Sequence, residues 1–188
     1  MNDKELKLLH NKILQLADYF DSFCKENNIE YYLMGGTALG AVRHSGFIPW
    51  DDDFDVFMDR GNYLKFLLIA KKKLDTDYYF QQENTAELPL YFSKVRMNNT
   101  TFIEKDVVGR EMHHGIYIDI MCLNACSSYT FVRYLQYFSA RVLSARALAK
   151  RGYITNSIFK KIILFITKNI FPSFFISLLL KFVRSFNR

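Results

Sequence analysis

At 188 residues the chain is long enough to bury a sizeable core, and half of its residues are hydrophobic. Three cysteines (Cys24, Cys122 and Cys126) are too sparse for a disulfide framework and suit a reducing compartment, and the Met-Asn-Asp-Lys-Glu start lacks the apolar stretch of a signal peptide. The net charge of +6 hides a division: residues 1–129 carry 14 Lys/Arg against 19 Asp/Glu, whereas residues 130–188 carry 11 Lys/Arg and no acid.

The first predicted element is an amphipathic helix from Asp3 to Asn27, with Leu6, Leu9, Ile13, Leu16, Phe20 and Phe23 on one stripe. Ile29 to Met34 favours a strand, and Gly35-Gly36 stops it. Thr37 is then placed to cap a short helix through Val42, which Arg43 and His44 end. Backbone N–H groups at a glycine turn and helix start can cradle phosphate oxygens, so Gly35, Gly36 and Thr37 are candidate binding residues.

Five aspartates follow within nine residues: Asp51, Asp52, Asp53, Asp55 and Asp59. Phe47, Ile48, Pro49 and Trp50 precede them and Val56, Phe57 and Met58 follow, more apolar surface than a solvated acidic turn needs. In Asp53-Phe54-Asp55-Val56 acid alternates with apolar residue, so a strand would point both carboxylates one way and pack Phe54 and Val56 behind them. That is a magnesium site in outline, and it points to phosphoryl-group chemistry. Trp50 could meet a base or a quaternary ammonium, or anchor the acidic strand in the core.

Asp59 or Asn62 starts the next predicted helix, which runs through Leu64, Leu67 and Leu68 to Lys73. Between Tyr78 and Cys122 the pattern is mainly strands. Lys94 and Arg96 alternate with Ser93, Val95 and Met97, which suits a strand with one wet face and ordinary surface cations. In Gly115–Leu123, Asp119 falls on the face opposite Ile116, Ile118 and Ile120, where burial would demand a partner. Cys122 and Cys126, with His113 and His114 nearby, match no common zinc spacing and read as buried free cysteines. From Thr130 onward the pattern is helical, and the whole order suits an α/β (α+β) domain.

The basic, aromatic-rich tail suits the surface of an anionic membrane, with nucleic acid set aside because Phe, Leu and Ile abound. Its Ile170–Leu180 run is shorter than the ~20 residues that span a bilayer.

Strand, Gly-Gly-Thr, short helix, then Asp-x-Asp is similar to the polymerase-beta-type nucleotidyltransferase fold. More narrowly, GGTALGAVRHSGFIPWDDDFDV, Gly35 to Val56, resembles the hallmark of the LicD family, which includes phosphorylcholine transferases and relatives of the fukutin-related glycan-modifying enzymes. The resemblance covers roughly residues 5 to 125. It implies a nucleotidyltransferase-like mixed sheet flanked by helices in a catalytic core over 1–129, with a helical extension over 130–188. It also implies a third catalytic carboxylate, for which Asp119 is the candidate, although Met121 and Cys122 stand where the family has Phe-Pro. The segment Tyr91 to Asp106 resembles the family's basic strand and Asn-Thr turn, which gives Lys94 and Arg96 a role against donor phosphates. The family's later tyrosine-rich segment, with a Tyr-Gly-Asp element and a Pro-Pro pair, is not among these residues, so the extension reads as truncated relative to the family.

By resemblance, then, Asp53, Asp55 and Asp119 are catalytic. Asp51, Asp53, Asp55 and Asp119 hold Mg²⁺ (or Mn²⁺), while Gly35, Gly36, Thr37, Arg43, His44, Trp50, Lys94 and Arg96 bind a CDP-activated donor. The implied reaction moves phosphocholine from CDP-choline to a sugar hydroxyl of a cell-surface glycan or its lipid-linked precursor and releases CMP. The expected setting is the cytoplasm, at the inner face of the membrane. Two rival readings are a nucleotidyltransferase that uses a nucleoside triphosphate, and a catalytically incomplete membrane- or partner-binding module.

Overall fold

The structure, a computed structural model, describes residues 1–104 and 107–187; the Lys105-Asp106 end of the basic-strand segment and Arg188 lie outside the described residues. The element order is α1 (Asp3–Glu26), β1 (Tyr32–Leu33), α2 (Gly35–His44), β2 (Asp55–Met58), α3 (Arg60–Lys73), β3 (Tyr78–Gln81), β4 (Ser93–Met97), β5 (Tyr117–Cys122), α4 (Thr130–Arg151), α5 (Ile158–Asn169) and α6 (Ser173–Arg184). This is the α+β order expected from the sequence. The chain forms two compact units. The first holds residues 1–83, 92–103 and 111–123, and the second holds 84–91, 104–110 and 124–188.

In the first unit one mixed sheet runs β1-β2-β5-β4-β3, with β2 and β5 parallel and the other neighbours antiparallel. Its apolar face carries Val56, Met58, Val95, Ile118 and Ile120, all fully buried. Leu16, Phe20 and Phe23 of α1 and Tyr63, Phe66 and Ala70 of α3 cover that face. Strand alternation sends every second side chain to this layer and its neighbours to the other face, so the core and the site share the same strands. The Tyr63 hydroxyl meets Ser93 Oγ at 3.0 Å, which satisfies both groups inside the apolar layer.

Local signals start and stop the helices. Asn2 and Glu5 form a reciprocal capping box at the start of α1. Asp59 caps α3: its carboxylate accepts from the Asn62 backbone N–H at 2.9 Å and from Asn62 Nδ2 at 2.7 Å. Those bonds hold the Asp59 carboxyl below its ordinary value, and they explain why this aspartate stands outside the acidic cluster.

In the second unit the Arg110 guanidinium bonds the carbonyls of Ala86 and Arg151, and Arg151 pairs with Glu104 at 2.7 Å; these contacts join residues 84–91 and 104–110 to α4. Leu143, Ile176 and Val183 form a small core. Among the described residues no single helix is long and apolar enough to cross a membrane; α5 and α6 qualify only as a pair, bent by 103°.

Replacing Asp59 by Ala is expected to lower unfolding stability by about 1 kcal/mol, the usual worth of an N-cap, as measured by urea denaturation near neutral pH. An unchanged midpoint would show that the cap bonds contribute nothing.

Candidate active site

Four adjacent strands assemble the site. The parallel register sets Asp55 of β2 beside Asp119 of β5, and the antiparallel register sets Asp119 beside Lys94 of β4 and Lys94 beside Gln81 of β3. Directly paired residues share a face, so these four form one row across the sheet, opposite the apolar layer. Lys94 Nζ lies 2.8 Å from Asp119 Oδ1 and 3.4 Å from the centroid of the Tyr117 ring. Lys94 thus supplies Asp119 with the partner that its burial demands. Arg96 donates from Nε to Gln81 Oε1 and from Nη1 to the Gly115 carbonyl, 2.8 Å in each case.

Lys94 and Arg96 are not surface cations. They are 1% and 0% exposed, and the wet face expected for this strand is covered. Alternation reports which residues share a face but not whether that face meets water.

The acidic loop reaches the row from α2. Gly35 takes φ +52°, a left-handed value that favours glycine. The helix then starts directly at the Gly-Gly pair: its N-cap is Met34, with no side-chain cap bond, and Thr37 lies one turn inside. Instead of capping α2, the Thr37 hydroxyl accepts the Asp55 backbone N–H at 2.9 Å and ties the helix to the start of β2. Gly36 packs against the Asp51 carboxylate so closely that a Cβ there would force that side chain to shift. The helix start and the acidic loop are therefore packed together.

Among the described residues, Asp51, Asp52 and Asp53 bring one ligand oxygen each within 4.8 Å of one another. Asp52, which the resemblance left out of the metal set, belongs to this group. Burial first, then the negative charges of Asp51, Asp119 and Asp52, push Asp53 up to about 6. Burial, then Asp119 and Asp53, push Asp55 up to about 7, against the opposing pull of Lys94. A set of hard oxygen donors under this repulsion could hold Mg²⁺ or a similar divalent cation.

His10 was missed by the sequence reading. From α1 its Nε2 meets the Asp51 carbonyl at 2.7 Å, and its ring stacks on Phe47 at 4.2 Å, so α1 holds the acidic loop. A histidine on the flank of an amphipathic helix gives no signal of a partner 41 residues away. Trp50 is 79% exposed, which overturns its reading as a core anchor. Arg43 and His44 are exposed in the last turn of α2, about 10 Å along the helix from Gly36. The Cys122 and Cys126 reading also changes: Cys122 is half-buried and Cys126 exposed, and only Cys24 is buried. His113 stacks on Tyr79 and bonds Asn98 Oδ1.

The sequence pattern of the LicD/FKTN/FKRP nucleotidyltransferase domain matches residues 28–131, more than half of the chain, and includes the acidic loop and the charged row but not His10. The chain belongs to the LicD family. A lipopolysaccharide cholinephosphotransferase LicD of Haemophilus influenzae is 48% identical over 66 residues, 34% of this chain and 25% of that protein. Uncharacterized proteins of Rickettsia prowazekii and Rickettsia typhi are each 61% identical over 44 residues, 23% of this chain and 16% and 14% of those proteins. The matches span a quarter or less of these relatives' lengths. No solved structure matches this LicD-family chain.

The raised carboxyls set a pH dependence. Between the ordinary value of 3.8 and about 7, folded Asp55 keeps a proton that the unfolded chain has lost. The site's contribution is therefore most favourable below about pH 4 and declines as pH rises through about 7. In chelator, the melting temperature of the parent is expected to fall over that range more steeply than that of Asp55→Asn, measured by scanning calorimetry. Equal slopes would show that Asp55 is not under strain.

Proposed function

We propose that this LicD-family chain transfers phosphocholine from CDP-choline to a sugar hydroxyl of a cell-surface glycan or its lipid-linked precursor. The reading is supported above all by the Asp55–Asp119–Lys94 row lying next to the Asp51–Asp53 loop, together with the similarity to the Haemophilus cholinephosphotransferase. The bond formed joins the sugar oxygen to the phosphorus that bears choline. The bond broken is that phosphorus to the bridging oxygen, which leaves on CMP.

Asp51, Asp53, Asp55 and Asp119 would hold Mg²⁺, with Asp52 in the same cluster. When bound, the ion would polarise the donor diphosphate and offset its charge. Asp119, oriented by Lys94, would accept the proton of the attacking hydroxyl. The backbone N–H groups of Gly36 and Thr37 open α2 and lack earlier carbonyl partners within it, so they can donate to phosphate oxygens. Buried Lys94 and Arg96 would supply fixed positive charge opposite the charge that develops in the transition state. The exposed indole of Trp50, next to Asp51, would lie against the donor's quaternary ammonium. The extension over 130–188 would make peripheral contact with the inner face of the membrane, where a lipid-linked acceptor resides.

Purified protein with Mg²⁺, CDP-choline and a pool of glycan acceptors is expected to release CMP, to stop in EDTA, and to fall to background as Asp53→Asn or Asp55→Asn with unchanged circular dichroism. Full activity of both variants would sink the assignment, and pyrophosphate release from a nucleoside triphosphate would redirect it to nucleotidyl transfer. Trp50→Ala is expected to raise KM for CDP-choline about tenfold with little change in kcat. An unchanged KM would remove Trp50 from the donor site.

A further inference from the structure

Helices α5 and α6 meet at an elbow of 103° across Ile170–Pro172. Proline lacks a backbone N–H and disfavours helix in the residue before it, so the chain breaks here. A buried charge then fixes the break. The Arg146 guanidinium, 6% exposed, donates from Nη1 to the carbonyls of Thr167 (2.6 Å), Lys168 (3.2 Å) and Phe171 (2.9 Å). Thr167 and Lys168 lie in the last turn of α5, whose carbonyls lack helical partners and carry the negative end of its dipole. Straightening the pair would strip these carbonyls of their donor and leave a buried cation unpaired. Each helix has 12 residues and is therefore about 18 Å long, well short of the ~30 Å hydrocarbon core.

The outward faces of the elbow are apolar and edged with cations. On α5, Ile158, Ile162 and Phe165 recur at i, i+4 and i+7 and are 51–75% exposed. Lys161 and Lys168 fall three or four residues from members of that stripe, along one edge of it. On α6, Phe174 and Leu178 are more than half exposed, and Lys181 continues their line. No acid occurs anywhere in residues 130–188 to repel an anionic surface. Exposed apolar faces of this kind mark interaction surfaces, and the flanking charge selects the partner.

We propose that the α5–α6 elbow is an interfacial wedge that lies on an anionic bilayer without spanning it. Ile158, Ile162, Phe165, Phe174 and Leu178 enter the boundary between headgroups and acyl chains. Lys161, Lys168 and Lys181 keep their stems on apolar surface and their ammonium groups at the phosphate level. This rests on the peripheral-membrane reading above and adds its residues, its lipid charge and its depth.

The test is flotation of the full chain with vesicles of equimolar phosphatidylcholine and phosphatidylglycerol, alongside vesicles of phosphatidylcholine alone. The protein is expected to float with the anionic vesicles, to float poorly with the neutral ones, and to be released by alkaline carbonate. Lys161→Gln with Lys168→Gln is expected to weaken anionic binding about thirtyfold. Phe165→Glu, at an exposed position that leaves the fold intact by circular dichroism, is expected to abolish it. Anionic flotation that neither set of substitutions reduces would overturn the elbow and leave peripheral contact standing. No flotation with either vesicle would sink both. Retention after carbonate would overturn the interfacial depth in favour of a span. A dimer seen by light scattering without lipid and dissociated by Phe165→Glu would assign the face to a second copy of the chain.

Discussion

Parallel pairing of β2 with β5 sets Asp55 next to Asp119, and the rest of the first unit follows from the need to keep two carboxylates side by side on a half-buried sheet face. Like charges on adjacent strands repel, and partial burial adds to the cost. The arrangement holds because the opposite face of the same strands is fully committed: Val56, Ile118 and Ile120 are sealed under α1 and α3. A slip of one residue in β2 would turn Asp55 into that layer and Val56 out of it. The apolar face therefore sets the register, and the register sets the site. Lys94, on the third strand, pairs with Asp119 and moderates the charge without cancelling it.

The acidic loop depends on the same construction through different contacts. Thr37 ties α2 to the backbone of Asp55, Gly36 makes room for the Asp51 carboxylate, and His10 holds the Asp51 carbonyl from α1. Each contact is short and local in space, and each joins residues far apart in sequence. Together they bring Asp51, Asp52 and Asp53 beside a row of charge built by the strands. The site is thus a meeting of two acidic groups, and burial first, then their mutual repulsion, raises the carboxyls of Asp53 and Asp55.

Cationic side chains play opposite parts in the two units. In the first, Lys94 and Arg96 are buried and bonded, and they organise a polar face. In the second, buried Arg146 caps the end of α5 and fixes an elbow, while the lysines of α5 and α6 edge exposed apolar faces. The same charge stabilises a carboxylate, satisfies a set of helix carbonyls or selects an outside surface, according to what it faces.

Local pattern was enough to order the elements, because each signal is carried by neighbours in the chain: the α1 stripe, the Asp59 cap, and the alternation that put Asp119 opposite its isoleucines. The strand alternation expected to join Asp53 to Asp55 does not hold, because β2 begins at Asp55 and Asp53 stays in the acidic loop. The short motif from Gly35 to Val56 likewise identified the family. Other features were not legible. Thr37 resembled a cap because a hydroxyl at a helix start usually is one; its actual partner, the Asp55 N–H, is 18 residues on. Lys94 and Arg96 resembled surface cations and Trp50 a core residue, since composition cannot say which faces the fold covers. The sequence by itself determined which side chains share a face, because that is a property of backbone periodicity. Only the tertiary structure decided which faces are buried and which residues from distant strands and helices meet, because register, burial and electrostatic coupling arise from packing between segments that no local pattern connects.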